Sequence, residues 1–254
     1  MNLEDLKNYW KHEENHTFKG WDFSYINNRI SEDTLPWNYK EIVENNIKDY
    51  ITVLDMGTGG GEFLLSLNRK KARFYATESY KPNLILCTNI LKPYDIEVRE
   101  VTDDNNLPFE DNYFDLIINK HESFSLSEVT RILKPGGKFI TQQVGGKNNI
   151  EMSKFLLGEV PNIINHDLGL NELLNECNTC DLEVLSSGEF FPKTYFYDIG
   201  ALVYYVKIIP WEFPEFTVDK TFDKLLELNK EIEVKGSIYS TEHRYFIESI
   251  KRYN

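Results

Sequence analysis

The sequence has only three cysteines in 254 residues. So few argue against a disulfide framework. No apolar run approaches the roughly 20 residues that span a bilayer, so no membrane segment is expected. The first residues, MNLEDLKNYWKHEENH, lack the basic start and apolar stretch of a secretory signal, and a cytoplasmic location is expected. Positive charge is also scarce: 28 Lys and Arg stand against 41 Asp and Glu, a formal net charge of -13. A nucleic-acid binder neutralises phosphates with a basic face, so this balance argues against nucleic acid and for a small molecule, without excluding a local basic patch. No internal repeat or low-complexity linker is visible. Apolar residues are plentiful at 41%, with 16 Phe and 15 Tyr, enough to bury a sizeable core.

The apolar pattern alternates between strand and helix. LEDLKNYWK and PWNYKEIVENNI read as helices, the second with Pro36 near its start. YITVLDM is a buried-type strand, and GEFLLSLNRK continues from it as a helix. ARFYATE, IEVREVT, FDLIIN, KFITQQV and LEVLSSGEF read as further strands. KPNLILCTNILKPY, LSEVTRILK and NELLNECNTC read as the helices between them, with LSEVTRILK stopped by Pro135, Gly136 and Gly137. Such alternation predicts an α/β fold, a doubly wound, mostly parallel sheet with helices on both faces. The tail departs from the rhythm: residues 191 to 218 are dense in aromatics, TFDKLLELNKEIEV looks helical, and STEHRYFIESIKR alternates as a closing strand.

The stretch VLDMGTGGGEFL places Gly57, Gly59, Gly60 and Gly61 at a strand-to-helix junction. Glycine adopts positive φ and lets a ligand rest on bare backbone, and a helix start offers unpaired N–H groups. A plain turn that favours glycine is the bland alternative. The dinucleotide fingerprint G-x-G-x-x-G does not fit, because its third position would be Glu62 or Leu64. Glu78 ends the second strand, about 20 residues on, where a carboxylate accepts ribose hydroxyls or else caps a helix. Asp103 and Asp104 follow the third strand, where Asp103 suits an adenine amino group or an ordinary turn.

With these residues in view, residues 50 to 144 resemble the class I S-adenosylmethionine-dependent methyltransferases. VLDMGTGGG resembles their first motif, ATES the second, TDDNNLPFEDNYFDLIIN the third and fourth, and EVTRILKPGGKFITQQV the helix, turn and strand that follow. The resemblance implies a Rossmann-like seven-stranded sheet whose last strand, at about residues 241 to 250, is antiparallel, and S-adenosyl-L-methionine as cofactor. It places Gly57 and Gly59, after Asp55 and around Thr58, beside the methionine part. It places Glu78 on the ribose with Ser79 beside it, Asp103 on the adenine amine, the Asp104 backbone beside the ring, and Asn119 facing the methyl group.

Methyl transfer needs an acceptor aimed along the S–CH₃ bond, and an N or O acceptor also needs a base. His121, in INKHESF, suits proton transfer near neutral pH, with Glu122 to orient it or act instead; alternatively His121 caps the turn or packs under a lid. Trp37 and Tyr39 either fold over the cofactor or anchor a helix on the core. Tyr197, Trp211 and the neighbouring Tyr195, Tyr204, Tyr205 and Phe213 either wall an acceptor pocket or belong to the core.

Two motifs compete. HEENH, residues 12 to 16, matches H-E-x-x-H, two His on one helix face for zinc; so close to the N-terminus, with no third ligand singled out, it reads as an exposed helix end, and no metal is expected. CNTC is a lone C-x-x-C late in a helix rather than at a helix start, and reads as two ordinary thiols. The expected layout is one methyltransferase domain over 1-254: an N-terminal helical lid segment (1-49), a cofactor-binding core (50-190), a helical, aromatic insertion (191-240) and the last strand (241-254). The expected activity is methyl transfer to a small-molecule acceptor. The alternatives are a methyltransferase acting on RNA or protein, and a regulatory protein that binds S-adenosylmethionine without turnover.

Overall fold

The computed structural model describes residues 2–17, 23–161 and 165–253. Along the chain run α1 (Leu3–Glu14), β1 (Ile30–Glu32), α2 (Tyr39–Asn46), β2 (Thr52–Met56), α3 (Glu62–Ser66), β3 (Arg73–Glu78) and α4 (Lys81–Leu91). Next come β4 (Glu97–Glu100), β5 (Phe114–Lys120), α5 (Leu126–Ile132), β6 (Leu133–Val144), α6 (Ile150–Leu157), α7 (Leu170–Thr179) and β7 (Leu182–Phe190). Then follow β8 (Lys193–Phe196), α8 (Ile199–Ile208), α9 (Val218–Lys235), β9 (Ile238–Thr241) and β10 (Arg244–Lys251). The chain divides into two compact units. One comprises Met1–Leu35, Gly145–Leu168 and Phe190–Arg244; the other Pro36–Val144, Gly169–Glu189 and Tyr245–Asn254.

The second unit contains the seven-stranded sheet, in the order β4-β3-β2-β5-β6-β10-β7. Its strands β4, β3, β2, β5 and β6 pair in parallel. β10 is antiparallel to β6: Lys251 Nζ donates to the Leu133 carbonyl and Ser249 Oγ to that of Phe139, so one numbering falls as the other rises. Side chains alternate between faces along each strand. Val53, Phe74, Ala76, Leu116 and Ile118 enter one buried cluster. Leu54, Tyr75 and Ile117, their immediate neighbours, enter another. A strand buried on both faces needs apolar residues at consecutive positions, which is why TVLDM and FDLIIN read as continuous runs.

Two local features differ from the pattern read in the sequence. The helix expected over GEFLLSLNRK is five residues long, because Leu67 turns extended at its end and Lys70 takes a positive φ of 47°. The strand expected at KFITQQV starts at Leu133 and runs through the Pro-Gly-Gly segment, with a register irregularity against β5 between Phe114 and Leu116. Proline lacks an N–H and Gly136 takes positive φ, so the extra residues are absorbed as a bulge instead of ending the ladder.

The first unit has its own core of Trp10, Phe196, Phe213, Leu225 and nearly all of α8. IGALVYYVKI is apolar around its whole circumference, and such a helix is enclosed on all sides. Asp198 caps it, accepting from Ala201 N at 2.9 Å. α8 and α9 occupy the segment expected to be helical, and β8 and β9 lie there as well, forming a three-stranded antiparallel sheet with β1. Among the described residues no helix is long and apolar enough to cross a membrane.

Candidate functional site

In the second unit the chain winds outward from β2 through β3 to β4, then returns to β5 on the other side of β2. Carboxyl ends of strands at such a reversal form the crevice where open α/β sheets take ligands. The turn after β2 carries Gly57, Gly59 and Gly61 at φ of 67°, 60° and 88°. It is tied to β3: Thr58 N donates to the Thr77 carbonyl at 2.9 Å, and Gly59 N to Glu78 Oε2 at 2.9 Å. Ser79 N and Tyr80 N donate to Glu78 Oε1 at 2.9 and 2.8 Å, so three backbone donors hold this buried carboxylate. Asp55 is buried beneath the turn. Burial foremost, with the nearby charge of Glu78, pushes its carboxyl up to about 7.

A small cavity of about 10 Å³ opens here, and Gly57, Glu78, Ser79, Asp104, Glu122 and Ser123 contribute to its wall. Met56, Val101 and Leu107 supply apolar surface that sequence reasoning did not single out, although Leu107 belongs to the quoted LPF pattern. Asp104 Oδ2 accepts from Ser123 Oγ at 2.7 Å. Asp103 is exposed and not part of this wall. Its Oδ1 accepts from Asn105 N at 2.9 Å, the local turn that a short acid favours. Glu122 lies directly over Gly57: a Cβ built on that glycine would collide with Cβ and Cγ of Glu122. Burial foremost, then the charges of Glu78 and Asp104, pushes the Glu122 carboxyl up to about 7.

Asn119 is the penultimate residue of β5, opposite Met56 of β2 and Thr141 of β6, and is fully buried. Its Oδ1 accepts from Gln143 Nε2 at 2.6 Å and from Thr141 Oγ1 at 3.2 Å. Its Nδ2 has no hydrogen-bond partner among the described residues. A buried donor left unpaired costs about 1–3 kcal/mol, which an incoming acceptor would recover. Tyr39 is buried, and its hydroxyl donates to the Asn119 carbonyl at 2.7 Å and accepts from Asn119 N at 3.1 Å, which fastens α2 to β5.

His121 takes a positive φ of 64°, and its N donates to the Gln142 carbonyl at 2.9 Å. Trp37 Nε1 donates to Gln142 Oε1 at 2.8 Å. That bond orients the amide, so Gln142 Nε2 is the donor to His121 Nε2, at 3.1 Å. This arrangement suits the tautomer with its proton on Nδ1. Replacing Gln142 by Glu supplies an acceptor at that end, so the expected result is a proton moved to His121 Nε2 and a ring pKa raised above about 6.5. Nitrogen NMR of labelled histidine reads both. Identical titration in wild type and Gln142→Glu would show that no such relay exists.

The other expected substrate residues lie in the first unit. Tyr197 is exposed, with its hydroxyl 2.7 Å from Ser31 Oγ, and Trp211 is exposed as well. Tyr204, Tyr205 and Phe213 are buried in the core of that unit. The H-E-x-x-H match does not form a metal face. α1 ends at Glu14, so His16 lies beyond the helix, stacked on Tyr25 with centroids 3.9 Å apart. Glu13 is buried and paired with Arg29 at 3.0 Å. Among the described residues no group of His, Cys, Asp or Glu is arranged to hold a metal ion. Cys177 and Cys180 are free, and burial pushes the Cys177 thiol up to about 12, far from a reactive thiolate.

The fold and the crevice define an α/β domain for a nucleoside-type cofactor. Residues 54–141 match the family model of a methyltransferase domain. The match is confined to that stretch of the 254-residue chain, and the fold is the one shared by S-adenosylmethionine-dependent methyltransferases. Among curated proteins none matches the chain in sequence. Three solved structures share the fold. A protein from Bacillus halodurans is 14% identical with a TM-score of 0.60, over 85% of this chain and 99% of its own. A S-adenosylmethionine-dependent methyltransferase from Methanosarcina mazei is 16% identical with a TM-score of 0.56, over 87% and 100%. A geranyl diphosphate methyltransferase in complex with S-adenosylmethionine is 13% identical with a TM-score of 0.51, over 84% of each chain.

The residues present fit this cofactor. Gly57 exposes backbone that any side chain would cover, Asn119 Nδ2 lacks a partner, and the carboxylates at the cavity suit a ligand bearing sulfonium and ammonium charges.

Proposed function

We propose that the protein methylates a small molecule presented at Asn119 and His121, over a cofactor site formed by Asp55, Gly57, Thr58, Gly59, Glu78, Ser79, Asp103, Asp104 and Asn119. When bound, the cofactor supplies an electrophilic methyl group on sulfonium. The observation that carries this reading is the acid-lined cavity over bare Gly57, with no Lys or Arg in its wall. Such a wall favours a cationic ligand and disfavours a nucleic-acid backbone. The geranyl diphosphate methyltransferase of the same fold acts on a small molecule, which supports that acceptor class.

The two residues after β5 divide the remaining work. The His121 Nε2 lone pair is taken by Gln142, so His121 positions the acceptor as a neutral group. Glu122 accepts the proton of an N–H or O–H acceptor. Only burial and neighbouring like charges act on its carboxyl, and a base with a pKa near neutrality transfers protons efficiently. Trp37 packs on Phe246 with centroids 4.8 Å apart and holds Gln142, a supporting place behind the acceptor rather than beside it. We keep the single-domain layout over 1-254 and a cytoplasmic setting, in which three free thiols are ordinary.

Incubating the protein with S-adenosylmethionine and a pool of small metabolites is expected to yield S-adenosylhomocysteine and one product heavier by a methylene. Tight cofactor binding with no S-adenosylhomocysteine from any pool, protein or RNA would instead favour a binding protein without turnover.

A further inference from the structure

Three carboxylates reach one cavity from three different segments: Glu78 at the end of β3, Asp104 after β4 and Glu122 after β5. Asp55 lies buried beneath the turn, within the influence of Glu78. Two of the cavity carboxylates are supported by donors. Glu78 takes three backbone N–H groups, and Asp104 takes the Ser123 hydroxyl. Glu122 differs, since among the described residues no hydrogen bond supports its charge and both neighbours repel it. It is also held in place: Gln143 Nε2 donates to the Glu122 carbonyl at 3.1 Å while gripping Asn119 Oδ1, and the Glu122 side chain rests on Gly57. The same Gln143 therefore ties the Glu122 backbone to the fully buried Asn119, whose Nδ2 awaits an acceptor.

We propose that Glu122 matches its charge to that of the cofactor, standing as carboxylate against the sulfonium and as carboxylic acid against the uncharged thioether product. This rests on the cofactor reading above. A cation beside a carboxyl favours its ionised form, whereas like charges and burial favour the protonated form. Glu78 and Asp104 supply the like charges; on the same segment His121 Nε2 meets Gln142 Nε2 at 3.1 Å, and Lys120 Nζ lies over the Phe63 ring at 5.4 Å. The methyl donor thus meets an anion, and the product meets a neutral acid that offers it no ionic attraction. The site prefers donor over product, and the product leaves. The proton balance agrees with turnover: the acceptor's proton moves to Glu122 as the S–CH₃ bond breaks and the new bond to the methyl forms, so the summed charge of site and ligands is unchanged.

Calorimetry of the intact protein with S-adenosylmethionine and with S-adenosylhomocysteine, in phosphate and in Tris near pH 7, counts the protons released. Release is expected with the sulfonium compound and less with the thioether. The affinity ratio of donor to product is expected to rise about tenfold between roughly pH 6 and pH 8, because protonation of Glu122 at low pH removes the anion that distinguishes them. Glu122→Gln is expected to abolish both the difference in proton release and the pH slope while still binding both ligands. Equal proton release with the two ligands in the wild type overturns the inference, as does a slope that persists in Glu122→Gln. Should that variant fail to fold, the wild-type proton count decides alone. Binding of both ligands without the difference leaves the cofactor reading standing; binding of neither overturns both.

Discussion

Gly57→Ala is expected to lower affinity for S-adenosylmethionine on the order of a hundredfold, equivalent to about 3 kcal/mol at ~1.4 kcal/mol per decade. Two costs combine at this position. The backbone at φ 67° is left-handed, which costs a residue with Cβ about 1–2 kcal/mol. The new methyl would also occupy the place of Glu122 Cβ and Cγ, atoms too close to their own backbone to swing away. Glu122 must then leave the cavity wall. Gly59→Ala separates the two costs, for it has φ 60° but nothing within 4 Å of the added Cβ. It is expected to lose stability through the backbone alone and to keep affinity within about tenfold. Thermal unfolding and calorimetry on both variants, with Glu122→Gly as a second-site relief for Gly57→Ala, measure the difference. Equal losses of affinity at the two glycines would mean that the contact with Glu122 does not shape the site.

Arg29→Met is expected to destabilise the first unit by about 3–5 kcal/mol at neutral pH, since breaking a buried ion pair strands its partners. Arg29 donates through Nε and Nη2 to Asp198 at 2.8 and 2.5 Å, through Nη1 to Glu13 at 3.0 Å, and through Nη2 to the Tyr9 hydroxyl at 3.1 Å. Glu13 is 2% exposed and its Oε2 has no partner even with Arg29 in place. Burial works against the Asp198 charge, yet the hydrogen bonds from Arg29 carry its carboxyl below the usual range. A depressed pKa contributes stability that is present at neutral pH and lost as pH falls through the folded-state value. The Asp198 contribution is therefore present above about pH 4, and the gap between variant and wild type is expected to narrow from pH 7 to about pH 3. Urea unfolding at the two pH values tests this. Lys235→Met, which removes an exposed pair with Glu231, serves as the control expected to leave the midpoint in place. A variant as stable as wild type at pH 7 would show that the pair is not what holds α1 to α8.

Much of the second unit is legible before folding because its signals are local. The strands of TVLDM and FDLIIN announce themselves by consecutive apolar residues, and the turn between β2 and α3 by its glycines. Glu78 is legible for the same reason, since a strand end and a helix start fix where its carboxylate lies. The helix at GEFLLSLNRK and the stop at Pro135 misread the local signal, because a positive φ at Lys70 and a bulge against β5 are set by the neighbouring strand.

The primary structure by itself determined the alternation of strands and helices, the glycine turn, the acids that follow the strands and the acidic balance of the whole. The tertiary structure alone decided the sheet of β1, β8 and β9, where Ile30 pairs with Phe196. It also decided that Glu13 serves Arg29 instead of a metal, that Glu122 covers Gly57, and that Gln142 and Gln143 hold His121 and Asn119. The physical reason is separation along the chain. Backbone preference and apolar periodicity act over a few residues, whereas these contacts join positions between 16 and 166 residues apart, and only packing chooses which of many polar side chains meet.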